Sequence, residues 1–189
     1  MGVRAAEKMN PSAEPVRIQL RLRELAQLFN SMDPSPFVDR DLDQDAEEFI
    51  LGWARELPAG REFELVVHLA ENPPADRAAG AEDAVRRYFA SRAEMKGREL
   101  RQLLRRGRIS LLAGLLFLGG CYLLSVLVGR LGDAGAFSGV AKEGLIIVGW
   151  VAMWRPLEIY LYDWWPVRAE QKLLSRLARM SVRLVLPAA

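Results

Sequence analysis

Residues 109–129 read ISLLAGLLFLGGCYLLSVLVG, 21 consecutive residues without a charge. A helix crossing the hydrocarbon of a bilayer needs about 20 apolar residues, so this stretch predicts a transmembrane helix. A second stretch of suitable length, 144–164, opens GLIIVGWVAMW but carries Arg155, Pro156, Glu158 and Asp163. Tyr160, Tyr162, Trp164 and Trp165 gather at its far end, the composition of a membrane–water interface. The expectation is a two-helix transmembrane hairpin with an external loop at 130–143.

Charge asymmetry orients that hairpin. Residues 96–108, KGRELRQLLRRGR, hold six basic residues against one acid. The loop balances Arg130 and Lys142 against Asp133 and Glu143, and after the second span Arg168, Lys172, Arg176, Arg179 and Arg183 face only Glu170. Positive flanks on both outer sides predict both termini in the cytoplasm.

The first span repeats small residues at helical spacing: Ser110, Gly114, Cys121, Ser125 and Gly129, with Gly119 and Gly120 between. Such a face lets helix backbones approach closely. It fits packing against the second span of the same chain, or self-association with another subunit.

Arg155 lies ten residues from Trp165, about 15 Å at helical rise, near the middle of a bilayer. Its side chain tilts toward the helix N-terminus, away from the nearer headgroups. Glu158, one turn later, is its natural partner, and Pro156 removes a backbone hydrogen bond and favours a kink. An intramembrane pair of this kind serves either an ion, proton or substrate pathway or the docking of one helix on another. A further possibility is that residues 156–165 run along the interface, leaving Arg155 among headgroups. The Trp154 and Glu158 spacing is similar to that of the calcium-uniporter pore motif, but Arg155 stands where that motif has an acid, so no cation filter is carried over.

Outside the membrane, Val16, Ile18, Leu20 and Leu22 alternate with polar residues and predict a strand over 15–22. Residues 23–32 read as a helix ended by Pro34 and Pro36. A second helix from about Asp41 to Leu57 places Phe49, Ile50 and Trp53 at core spacing and stops at residues 58–60. EFELVVHL, 62–69, predicts a second strand. The acids at 39–48 lack the turn glycine and closing glutamate of a calcium loop. They read as helix N-terminal charge, with Asp45 and Glu48 as a capping box and Asp41 or Asp43 as alternative caps. Two strands make too small a sheet to stand alone, so either the helices cover both its faces or an edge pairs with another subunit.

The resulting fold class is mainly α and membrane-embedded. A flexible tail (1–15) precedes a small cytoplasmic β-α-α-β domain (16–74), and a long linking helix (75–108) leads into the hairpin. The tail, 165–189, reads as one amphipathic helix, its basic stripe Arg168, Lys172, Arg176, Arg179 and Arg183 beside Leu173, Leu177, Met180 and Leu184. That combination suits anionic lipid headgroups or packing against the linking helix. Nucleic acid is not expected, since no groove-reading motif accompanies the charge. With one histidine, His68, and one cysteine, Cys121, a His/Cys metal site or intrachain disulfide is excluded, and no cofactor is expected.

The phrases LFNSMDPSPFVDRDLDQDAEEFI and EGLIIVGWVAMWRPLEIYLYDWWP resemble a family of uncharacterised small bacterial two-span membrane proteins. The resemblance covers most of residues 16–168, implies a bacterial inner (plasma) membrane, and carries no activity. A non-enzymatic accessory subunit or homo-oligomeric scaffold with a cytoplasmic partner-binding domain is the expected function. The alternative is a component of a small oligomeric ion channel or transporter using Arg155 and Glu158.

Overall fold

Apolar residues alternating through β1 (Val16–Leu22) and a nearly continuous apolar run in β2 (Phe63–Leu69) produce two strands that pair in parallel, from Val16 beside Phe63 to Leu22 beside Leu69. A parallel pair requires a crossover, here two 3-10 turns (Leu25–Leu28 and Phe37–Asp39) and helix α1 (Gln44–Glu56). The helix expected over 23–32 is only the first of those turns. Its backbone is taken up elsewhere: Phe29 bridges Leu42, the Asn30 N–H donates to Asp41 O at 2.8 Å, and the Asp43 N–H donates to Leu28 O at 3.0 Å. Asp43, the alternative cap, starts α1 by accepting from the Asp45 N–H at 3.1 Å.

The computed structural model describes residues 15–57, 61–131 and 136–187. The tail expected at 1–15, bar its last residue, the helix stop at 58–60 and the middle of the loop expected at 130–143 lie outside them. The linking helix and first apolar stretch form one uninterrupted helix, α2 (Ala75–Leu131), 57 residues long. Helix α3 (Ala136–Ala152) starts within the expected loop. A turn at Met153 leads into α4 (Trp154–Glu158), a π-helical segment (Ile159–Asp163) and α5 (Trp164–Leu177). Two helical stretches, one within α2 and one from Gly139 to Leu177, are long and apolar enough to cross a membrane.

The tail corrects the expectation of a single helix over 165–189. Helix α5 ends at Leu177, and after a turn the chain forms β3 (Ser181–Val185), parallel to β2 from Glu64 beside Ser181 to His68 beside Val185. Val182 and Leu184 alternate with Ser181 and Arg183 at a strand's period of two. Over so short a stretch the same residues also continue a helical stripe. The sheet, ordered β1-β2-β3, thus takes its third strand from its own chain, and another subunit's edge is not needed to complete it.

One apolar cluster joins Ile18, Leu65 and Val67 of the sheet to Ile50 and Ala54 of α1, Val85 and Phe89 of α2, and Leu174, Leu177 and Met180 of the tail. Phe49 and Trp53, expected in the core, are 40% and 49% exposed; Ile50 alone of the three points inward. All-parallel sheets usually need cover on both faces. On the second face Glu64, buried in the central strand, accepts from Arg17 Nε at 2.8 Å and pairs with Arg183 Nη2 at 2.9 Å. Both arginines keep more than half of their side-chain surface in water, so each pair contributes about 1 kcal/mol or less.

The chain divides into two compact units, one formed by residues 1–94 with 171–189, the other by residues 95–170. Because Leu177 is fully buried in the first unit's core, Leu177→Ala should cost about 2–5 kcal/mol. Thermal denaturation followed by circular dichroism checks this; an unchanged transition would contradict the place of α5 in the core.

Candidate functional site

In the unit spanning 95–170, the small residues of α2 meet the second apolar stretch at close range. Gly114, Cys121 and Ser125 are buried and Ser110 is half-buried. A side chain built at Gly114 would have its Cβ 3.0 Å from Met153 Sδ and 3.3 Å from the Ala152 carbonyl. Lys142 lies across Gly129, and Gly149 sits where a Cβ would be 2.8 Å from Leu118 Cδ1 and 3.3 Å from Cys121 Cβ. At Gly107, similarly, a Cβ would be 2.9 Å from Ile159 Cγ2. Gly114 and Cys121 are therefore packed against the second apolar stretch of the same chain, while Gly119 and Gly120 face open space.

Pro156 has no N–H to donate to Ala152, and the helix breaks one turn before it. The Met153 N–H donates to Trp150 O at 3.0 Å, and helical bonding resumes with Leu157 N–H to Met153 O at 3.2 Å. Arg155 and Glu158 are brought together at 2.8 Å, with Asp163 3.8 Å from the same guanidinium nitrogen. The pair faces outward, the Arg155 side chain being 64% exposed. The π-helical turn follows directly, and Trp164 Nε1 donates to the Tyr160 carbonyl at 2.8 Å. Of the interfacial aromatics, Tyr162 and Trp165 are exposed while Tyr160 and Trp164 are half-buried.

The five tail cations separate once Arg183 is placed on β3. Arg168 stacks on the Trp164 ring, 5.5 Å from its centroid. Arg176 stacks on Phe63 at 4.2 Å and donates to the Arg61 carbonyl at 2.7 Å, and burial lowers its pKa. Lys172 and Arg179 remain exposed.

Sequence reasoning missed Glu47, placed among surface acids. It is buried, accepting from Tyr88 Oη at 2.7 Å and Arg92 Nε at 3.0 Å. Burial, then the bond to Glu47, raises the Tyr88 pKa well above its ordinary 10.0. The i+3 spacing of Glu47 to Ile50 on the buried face was the available signal. Other acids nearby also serve the fold: Asp39 of the run pairs with Arg87 at 3.4 Å, and Asp33, before it, accepts from the Asp41 and Ser35 N–H groups, which lower its pKa. Among the described residues, no group of three His, Cys, Asp or Glu side chains could hold a metal ion.

A cleft of about 500 Å³ lies between α2 and the π-helical turn with the start of α5, lined by Glu99, Gln102, Arg106, Tyr162, Asp163 and Pro166 among others. Beyond it Lys96 bridges Glu170 at 2.9 Å and Glu99 at 3.1 Å, and those carboxylates raise its pKa. No protein-family model matches this chain, and no curated protein or solved structure matches it either.

Two outcomes follow from this geometry. Gly149→Leu should force the helices apart, so that the buried Cys121 reacts faster with a membrane-permeant maleimide than in the wild type; equal rates would refute the close approach. Tyr88 with a raised pKa keeps its stabilisation below pH 10 and loses it as the pH rises further. Tyr88→Phe should cost about 1 kcal/mol at neutral pH and flatten the alkaline decline, as read from denaturant midpoints between pH 8 and 11.

Proposed function

We propose that this chain is a non-enzymatic, two-span integral membrane subunit or oligomeric scaffold whose sheet-bearing unit binds a partner in the cytoplasm. The observation that carries the reading is the pairing of β3 with β2. A sheet drawing strands from both sides of the two apolar helices supports an even number of crossings, with the segments flanking those helices on one side of a bilayer. The outward surfaces of those helices suit lipid: only 17% and 22% of their most apolar windows are buried, whereas the core helix of a water-soluble protein would be mostly covered. The basic residues at 96–108 favour the cytoplasm as that side.

Partner binding is supported by α1, where Phe49 and Trp53 flank Gly52 on an open surface, their ring centroids 6.3 Å apart. Exposed aromatic pairs are characteristic anchors of protein interfaces. The non-enzymatic reading is supported by what several buried or capping acids do: Glu47, Glu64, Asp33 and Asp43 are each engaged in holding the fold. A channel or transporter component is the second reading, favoured by the outward Arg155–Glu158 pair, which a ring of copies would cover.

Fusions at both ends to green fluorescent protein should fluoresce, and fusions to alkaline phosphatase should be inactive, with the chain retained in membranes after an alkaline carbonate wash. Phosphatase activity at either end, or release by the wash, would overturn the topology. In liposomes containing the purified chain, ion flux that Glu158→Gln abolishes would favour the channel; no flux in the wild type would remove it.

A further inference from the structure

We infer that the cleft between α2 and the π-helical turn binds the headgroup of a zwitterionic phospholipid with a primary ammonium, of the phosphatidylethanolamine class. This rests on the membrane reading above, which puts Arg106 three residues before the first span and Asp163 at the end of the second, at headgroup level. The cleft carries charges of both signs. Arg106 makes no ion pair or hydrogen bond among the described residues, so a full guanidinium fork is open to a phosphate diester. Asp163, on the opposite wall, meets Arg155 only at 3.8 Å, beyond hydrogen-bond length, and can accept from an ammonium. Glu99 adds a second carboxylate, shared with Lys96.

A second hollow, of about 520 Å³ and bordered by Leu161, Trp165 and Ala169, shares Tyr162 and Pro166 with the first. It offers apolar surface for the glycerol end of the same molecule. Charge complementarity selects the headgroup. A phosphatidylglycerol phosphate would meet Arg106 but bring no cation to Asp163 and Glu99. The quaternary ammonium of phosphatidylcholine has no N–H to donate. Phosphatidylethanolamine supplies an anion and N–H donors together.

The test is native mass spectrometry of the full chain, extracted from carbonate-washed membranes in mild detergent. Dioleoyl phosphatidylethanolamine, phosphatidylglycerol and phosphatidylcholine are added in equal amounts. Phosphatidylethanolamine should be retained about tenfold over phosphatidylcholine, the scale of one charge-assisted hydrogen bond. Arg106→Ala should weaken retention of both phosphatidylethanolamine and phosphatidylglycerol. Asp163→Asn should erase the preference over phosphatidylcholine without weakening phosphatidylglycerol. Equal retention of the three lipids, a preference for phosphatidylglycerol, or wild-type selectivity in both variants overturns the inference. The wild-type ratio alone decides it should a variant fail to fold. A chain that stays in washed membranes yet shows no selectivity defeats only this inference, whereas one released by the wash defeats the membrane reading with it.

Discussion

The parallel ladder between β2 and β3 is the constraint from which the rest of the architecture follows. Five residues after α5 pair with a strand that precedes α2, so everything between them must leave and return to the same sheet. The two long apolar helices are thereby tied into an antiparallel course, with Gly107 against Ile159, Gly114 against Met153 and Gly149 against Cys121. The pairing is also the most distant in sequence. Contacts of such long sequence separation are slow to form, because loop-closure entropy must be overcome before they are made.

Close approach along that course depends on residues without bulk. Glycines at 107, 114 and 149 put one helix's backbone against the other's side chains, and Cys121 and Ser125 fill the remainder of the contact. The irregularities of the second stretch lie opposite this smooth face. Pro156 breaks the hydrogen-bond ladder, and the π-helical turn after it changes the angular position of everything from Trp164 onward. Arg155 and Glu158 are on the outside, where they pair with each other.

Buried carboxylates do in the sheet-bearing unit what apolar contacts alone do not. Glu64 links all three strands through Arg17 and Arg183. Glu47 ties α1 to α2 through Tyr88 and Arg92. Neither glutamate was legible as special. Glu64 sits in an apolar run like any strand-edge acid, and Glu47 stands in a series of six acids whose other members face water or cap turns. Burial of an acid is decided by which cations arrive from distant segments, here Arg183, 119 residues on from Glu64 in the numbering, and Arg92 from α2.

What the sequence determined by itself is whatever local periodicity and length control: β1, β2, α1, the two long apolar stretches, the break at Pro156 and the Arg155–Glu158 pair. These depend on neighbours within one or two turns. What only the tertiary structure decided is the state of SVRLV at 181–185, where period two and period 3.6 are indistinguishable over five residues and the open edge of β2 settles the matter. The same holds for the side of α1 that is buried: Ala46, Ile50 and Ala54 join a core completed by Leu174, Leu177 and Met180 from far along the chain, and Phe49 and Trp53 are left outside. The cleft holding Arg106 and Asp163 joins residues nearly sixty positions apart, and no local pattern in either segment announces the other.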